Sequence, residues 1–328
     1  MKIAILTLKS FLGDLSMTVD KTTSLYFHEY FAEWIEIYKQ GAVRPVTYQK
    51  YLLTLRRLTE LEPCLSFHEL DKRRYQILLN DYAQTHERET TMNFHHQLKS
   101  VILDAIDEGL LQSDPTRKVI IKGKAASDKK PKFLSQFELQ MLLKNLNLKN
   151  KPNWDWFILL VAKTGLRFAE ALALTPSDFD FMQQKIKITK TWNYRKINGI
   201  YGGFGETKNY SSKRTLQIDP QLSEQFLKLT SGLPEDKPIF ITSRVFNSTV
   251  NGRLKALCKK AEVPIIALHA LRHTHASMLI FAGVSIASIA KRLGHSSMVT
   301  TQETYLHIIR ELENQDNDKI MLHLSLLT

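Results

Sequence analysis

Between Leu25 and Ile106 apolar residues recur every three or four positions, and that period commits the segment to amphipathic helices. Phe27, Phe31, Trp34, Ile35 and Tyr38 form one stripe beside Glu29, Glu33 and Glu36, and it reads as core rather than as a binding surface. A second helix opens after Arg44, with Pro45 suited to a first turn and Tyr48, Leu52, Leu55 and Leu58 on one face. Lys50, Arg56 and Arg57 lie on the other. The stretches from Asp71 to Tyr82 and from Thr90 to Ile106 repeat the pattern, the last closing near Gly109. Such stripes are best buried against one another, which predicts a small all-helical bundle.

The character of the chain then changes. From Lys118 to Lys132, the side chains of Lys122, Lys124, Lys129, Lys130 and Lys132 surround Gly123, Ser127, Asp128 and Pro131, with few apolar residues after Ile121. This predicts an extended basic linker between two domains, either a solvated connector or a strap across phosphates. The remainder reads as helical with one β-rich insertion. Lys185-Ile186-Lys187-Ile188 alternates, as does Lys213-Arg214-Thr215-Leu216-Gln217-Ile218, and Gly199, Gly202, Gly203 and Gly205 supply turns between them. A small antiparallel sheet with one long loop follows.

The 328 residues include 45 Lys and Arg against 33 Asp and Glu, a formal charge of +12. That excess suits a polyanionic partner, because basic side chains displace counterions condensed on nucleic acid, although charge alone fits a merely soluble basic protein equally well. Cys64 and Cys258 stand far apart, so neither a disulfide framework nor a zinc site is indicated, and a reducing cytoplasm fits. The apolar Ile3-Ala4-Ile5-Leu6 is interrupted by Lys9 and lacks a cleavage site, unlike a signal peptide, and no run is long enough to cross a membrane.

Four short segments carry the chemistry. In Thr164-Gly165-Leu166-Arg167-Phe168-Ala169-Glu170 a helix stops at Gly165 and another starts near Arg167, placing a guanidinium where orphan N–H groups also gather; Glu170, one turn on, can orient it. An isolated arginine in such a turn is more often a structural ion pair. In Leu268-His269-Ala270-Leu271-Arg272 an imidazole and a guanidinium share one helix face, an arrangement built for an anion, while Leu268, Leu271 and Leu279 face the core. Reading His269, His273 and His275 as metal ligands fails on spacing, since i, i+4 and i+6 do not converge on a helix. A capped helix from Ser285 to Gly294 leads to His295, and a short helix after Ser297 presents Tyr305.

Taken in this order, TGLRFAEALAL, LHALRHTHAS, LGHSS and TQETYLHI resemble the tyrosine recombinase family, the phage-type integrases and their relatives in conjugative elements, over roughly Leu25 to Ile309. The resemblance implies Arg167, His269, Arg272, His295 and the nucleophile Tyr305 as catalytic residues, supported by Glu170. It places the family lysine on the β-insertion, at Lys208 with Lys213 as runner-up. It implies a mainly α fold with a small antiparallel β-sheet: a helical core-binding domain plus a mixed α/β catalytic domain, together a C-shaped DNA clamp. The expected parts are a short N-terminal segment at 1–24, vestigial for arm binding or an interaction element; a core-binding domain at 25–117; the linker at 118–133; the catalytic domain at 134–310; and a tail at 311–328 that docks on a neighbouring subunit or packs at home.

The same resemblance implies cleavage and rejoining of double-stranded attachment sites through a 3′-phosphotyrosyl bond, by a homotetramer, without cofactor or metal, and with an excisionase or host DNA-bending factor as a candidate partner. Lys50, Arg56, Arg57, Lys122, Lys124, Lys129, Lys130 and Lys132 are the expected DNA contacts. A chromosome-dimer resolvase, an invertase and a catalytically silent DNA-binding regulator are the alternatives.

Overall fold

A computed structural model describes residues 26–125, 131, 133–195, 201–207, 209–305, 321 and 325. The expected N-terminal segment, Lys129, Lys130, Lys132, Lys208 and almost all of the tail lie outside the described residues. The chain divides into two compact units between Asp128 and Lys129, and each is described by itself.

The first unit is helical. It comprises α1 (Phe27–Lys39), α2 (Pro45–Leu61), α3 (Lys72–Ala83) and α4 (Arg88–Asp107). Pro45 occupies the first turn of α2, where its missing N–H costs nothing. Asp71 caps α3 by accepting from the Arg74 N–H at 2.6 Å. Phe27, Phe31, Trp34 and Ile35 pack with Leu58, Tyr75, Leu78, Leu98 and Ile102 in one core, each such side chain contributing about 1.5–3 kcal/mol by leaving water. Tyr38 departs from the expected stripe. It is 47% exposed on the last turn of α1 and only leans on the Trp34 ring, centroids 5.8 Å apart.

The first part of the expected linker is fastened to this bundle. Ile120 donates its N–H to Gln76 Oε1 at 2.8 Å and accepts from Gln76 Nε2 at 2.9 Å, while Lys124 N–H reaches the His86 carbonyl at 2.9 Å. Val119 and Ile121 pack on the core. A Cβ at Gly123 would lie 2.1 Å from the Arg88 nitrogen, so the chain crosses the start of α4 where only glycine fits.

The second unit contains α5 (Gln136–Lys144), α6 (Trp154–Thr164), the short α7 (Phe168–Leu172), α8 (Pro220–Thr230), α9 (Asn247–Lys260), α10 (Leu268–Phe281) and α11 (Ile286–Leu293), followed by helical residues 298–305. Its strands are β1 (Phe179–Asp180), β2 (Lys185–Ile188), β3 (Lys190–Trp192), β4 (Phe204–Glu206) and β5 (Arg214–Gln217). They form an antiparallel sheet in the order β1-β2-β5 and a separate β3-β4 pair. In β2 and β5, Ile186 and Ile188 stand opposite Leu216 and Arg214, and the alternation turns Ile186, Ile188 and Leu216 into the core. The β3-β4 pair, with Thr191 opposite Gly205, lies where the alternating pattern predicted only a loop. The fold is therefore mainly helical with small antiparallel sheets. Among the described residues no helix is long and apolar enough to cross a membrane.

Candidate active site

The site is built on two helix ends. Helix α6 closes at Gly165 with φ +68° and α11 closes at Gly294, also with φ +68°, the left-handed conformation that glycine adopts without Cβ strain. Each end leaves carbonyls without helical partners, and guanidinium groups take them up. Arg272 donates from Nη1 to the Gly165 carbonyl and from Nη2 to the Leu293 carbonyl, both at 2.7 Å. Arg167 donates from Nη2 to the Gly294 carbonyl at 2.8 Å.

Arg167 is the N-cap of α7, as its motif predicts, and Glu170 turns back on it. The Glu170 carboxylate accepts from the Arg167 backbone N–H at 3.1 Å and from Nη1 at 2.7 Å. A second cation completes this pairing. Arg214, at the start of β5, donates from Nη2 to Glu170 Oε2 at 2.9 Å and from Nε to the Arg292 carbonyl at 2.6 Å. Glu170 is buried; burial alone would raise its pKa, but Arg214 and then Arg167 more than offset this and hold it below the ordinary carboxylate value. Arg214 was not among the predicted site residues. A buried carboxylate between two guanidiniums is a tertiary feature, and the alternation around Arg214 signals only a strand.

Arg272 is 3% exposed. Burial, then Arg167, pushes its pKa down to about 9, so it still carries its charge at neutral pH. His269, one turn earlier on α10, is open to solvent. Its pKa is lowered by burial first and then by Arg272 and Arg167. With its side chain open to solvent, the two neighbouring cations favour a neutral imidazole. His295, just beyond Gly294, is half-buried and bonded through Nδ1 to Thr301 Oγ1 at 2.7 Å. Burial, followed by Arg272, Arg167 and Arg214, pushes its pKa down to about 4.

Tyr305 ends the described helical stretch and is 2% exposed, its ring set among Ala276, Ile280, Ile289 and Leu293. Its hydroxyl lies 2.9 Å from His273 Nδ1. Burial raises the phenol to about 12 while Arg272 pulls it back. His273 was considered only as a metal ligand; the signal for its place is its i, i+4 spacing from His269, whose ring it meets edge to face at 4.8 Å. His275 is engaged elsewhere, with Nδ1 at 3.1 Å from the Ala162 carbonyl and Nε2 accepting from Arg292 Nε at 2.9 Å.

The structure thus brings together Arg167, Glu170, His269, Arg272, His295 and Tyr305. Lys208, in the segment between β4 and β5, lies outside the described residues; Lys213 is exposed at the end of the turn at Tyr210–Ser212. Among the expected DNA contacts of the first unit, Lys50, Lys122 and Lys124 are exposed. Arg56 and Arg57 are instead both tied to Glu60, at 2.8 and 2.6 Å.

A phenol and paired guanidiniums at two helix ends of this fold define a class, the tyrosine recombinases, enzymes that break and rejoin DNA. Residues 132–311 match the model of the phage integrase family, more than half of the chain, and the chain belongs to that family. The integrase of Staphylococcus phage L54a is 23% identical over 331 residues, covering 90% of this chain and 93% of its own length. The transposase from transposon Tn916 of Enterococcus faecalis is 24% identical over 298 residues, covering 82% of this chain and 72% of its own. Among solved structures, the Tn1549 transposon integrase in complex with a circular intermediate DNA superposes with a TM-score of 0.73 at 18% identity, covering 85% of this chain and 95% of that one.

Proposed function

We propose that this recombinase integrates and excises a mobile element, using Tyr305 to cut double-stranded attachment sites. The observation that carries this reading is that Arg167 and Arg272 are both held by carbonyls of the α6 and α11 ends. Charge on the nonbridging oxygens of a phosphodiester grows during attack, and a fixed guanidinium fork stabilises it without changing protonation. Tyr305 attacks phosphorus and forms a 3′-phosphotyrosyl bond. His269 helps to move the phenolic proton, His295 binds the phosphate or positions the phenol, and Lys208 protonates the leaving 5′ oxygen. A free 5′-hydroxyl then reverses the step, so the bond energy is kept and ATP is not needed. The guanidiniums supply the charge stabilisation that a divalent ion provides in other phosphoryl-transfer sites, so no metal is required.

Strand exchange involves two duplexes and, on this reading, a homotetramer in the cytoplasm, with an excisionase or host DNA-bending protein setting direction. The helical unit takes the core-binding role, with Lys50, Lys122 and Lys124 on phosphates, joined by Lys129, Lys130 and Lys132. The names of the phage L54a and Tn916 relatives support a mobile element as the cargo.

A suicide duplex nicked beside the cleavage position, made from the DNA flanking the gene, tests the chemistry. The expected result is a covalent protein–DNA adduct that Tyr305→Phe abolishes. An adduct that survives Tyr305→Phe would refute the mechanism.

A further inference from the structure

We infer that His273 takes the phenolic proton of Tyr305 during strand cleavage, an assignment that rests on Tyr305 being the nucleophile. The ring nitrogen Nδ1 of His273 lies 2.9 Å from the Tyr305 hydroxyl, within the range required of a general base. With Tyr305 2% exposed, bulk water does not reach the phenol to accept its proton. The guanidinium of Arg272 is already directed at two backbone carbonyls. His273 follows Arg272 directly on α10, so one helix fixes both the group that binds the phosphate and the group that serves the nucleophile.

The neighbours of His273 are consistent with this role. From α10 itself come His269, edge to face at 4.8 Å, and Arg272. From the turn after α11 comes His295, close enough for His273 to add to the lowering of its pKa behind burial, Arg272, Arg167 and Arg214. From helical residues 298–305 comes Tyr305, ring centroids 5.8 Å apart. The ring adjoining the phenol is that of His273, and His269 stands behind it, nearer solvent. A neutral His273 protonated on Nε2 presents the Nδ1 lone pair to the hydroxyl.

The Oη–P bond forms while the P–O5′ bond breaks, the phenolic proton passes to Nδ1, and the 5′ oxygen receives a proton from the general acid of the site. His273 ends as imidazolium. On rejoining, the 5′-hydroxyl attacks phosphorus, the Oη–P bond breaks, and the phenolate recovers its proton from Nδ1. The burial that raises the phenol to about 12 makes an acceptor at contact distance all the more necessary.

The test is single-turnover cleavage of the suicide duplex by the full chain, with DNA affinity measured in parallel. His273→Gly is expected to cleave about 100-fold more slowly or worse while binding DNA as the unaltered enzyme does, and added imidazole is expected to restore much of the rate. The defect should persist on a duplex whose 5′ bridging oxygen is replaced by sulfur, since a thiolate leaves without a proton. Should His273→Gly lose DNA binding, His273→Asn carries the test, because its amide reaches the same position without basicity. Cleavage by either variant at or above the original rate would overturn the assignment, as would full rescue by the sulfur substrate or, where His273→Gly binds DNA, a defect that imidazole leaves unchanged. Absence of an adduct with the unaltered enzyme would instead overturn the reading of Tyr305.

Discussion

The Arg272 guanidinium spans two helix ends, the Gly165 carbonyl of α6 and the Leu293 carbonyl of α11. Its fork is matched to two carbonyls at 2.7 Å, and lysine, a single ammonium on a flexible stem, satisfies at most one of them in the same geometry. Arg272→Lys is therefore expected to lower the single-turnover cleavage rate about 100- to 1,000-fold, the usual cost of losing one fixed transition-state donor, with DNA affinity little changed. His275 makes a different prediction. Burial, then Arg292, pushes its pKa down to about 3, whereas in the unfolded chain it titrates near about 6.5. Between those values the unfolded state binds the extra proton, so stability falls as pH drops from about 6.5 toward 3. Chemical denaturation across that range should show the slope, and His275→Gln should reduce it, leaving the part due to His295 and His95, whose pKa values burial also pushes down to about 4. At this scale the motifs point to Arg167, Glu170, His269, Arg272, His295 and Tyr305, because each sits in a local pattern of turn or helix face, and the structure brings these six side chains near one another. Arg214 and His273 do not stand out in the sequence because their contacts with Glu170 and Tyr305 exist only in the folded chain.

Among the elements, helices were more legible than strands. Asp71, Pro45, Gly109, Gly165 and Gly294 mark helix ends that the structure places within a residue or two of expectation, since capping is local chemistry. The β3-β4 pair was not legible: its strands are three residues each, too short for alternation to register, and the glycines between them read as loop. The segment after Lys118 was read for its lysines, while its apolar Val119 and Ile121 and the partner Gln76 decided where its first part lies. Gly123 tests that attachment. With a Cβ only 2.1 Å from the Arg88 nitrogen, Gly123→Ala must lift the segment or push back the start of α4, and is expected to destabilise the helical unit by about 1–3 kcal/mol, measured by urea denaturation of the full chain.

For the whole molecule, the formal charge of +12 makes DNA affinity a steep function of salt, because each phosphate neutralised releases counterion. If Lys50, Lys122 and Lys124 sit on phosphates, replacing any one with glutamine should weaken binding to all sequences alike and reduce the slope of log affinity against log salt by about 1. Fluorescence anisotropy at several salt concentrations checks this, and an unchanged slope would remove that lysine from the interface. Arg56 and Arg57 are expected to contribute less, since each already shares Glu60. Sequence alone could count these charges but not sort them, because an i, i+3 or i, i+4 ion pair and a phosphate contact draw on the same residues.

The two helix ends that hold Arg167 and Arg272 have a consequence for anyone seeking to retarget this enzyme. Main-chain carbonyls keep their chemistry whatever side chain is attached, so a library that randomises side chains around the two guanidiniums leaves the contacts that hold them undisturbed. The two codons to hold constant are those of Gly165 and Gly294, since a Cβ at the first would meet the His275 ring at 2.8 Å and one at the second the Arg214 guanidinium at 2.9 Å. If Arg167 and Arg272 hold the phosphate as proposed, specificity can then be evolved around a site whose framework stays fixed.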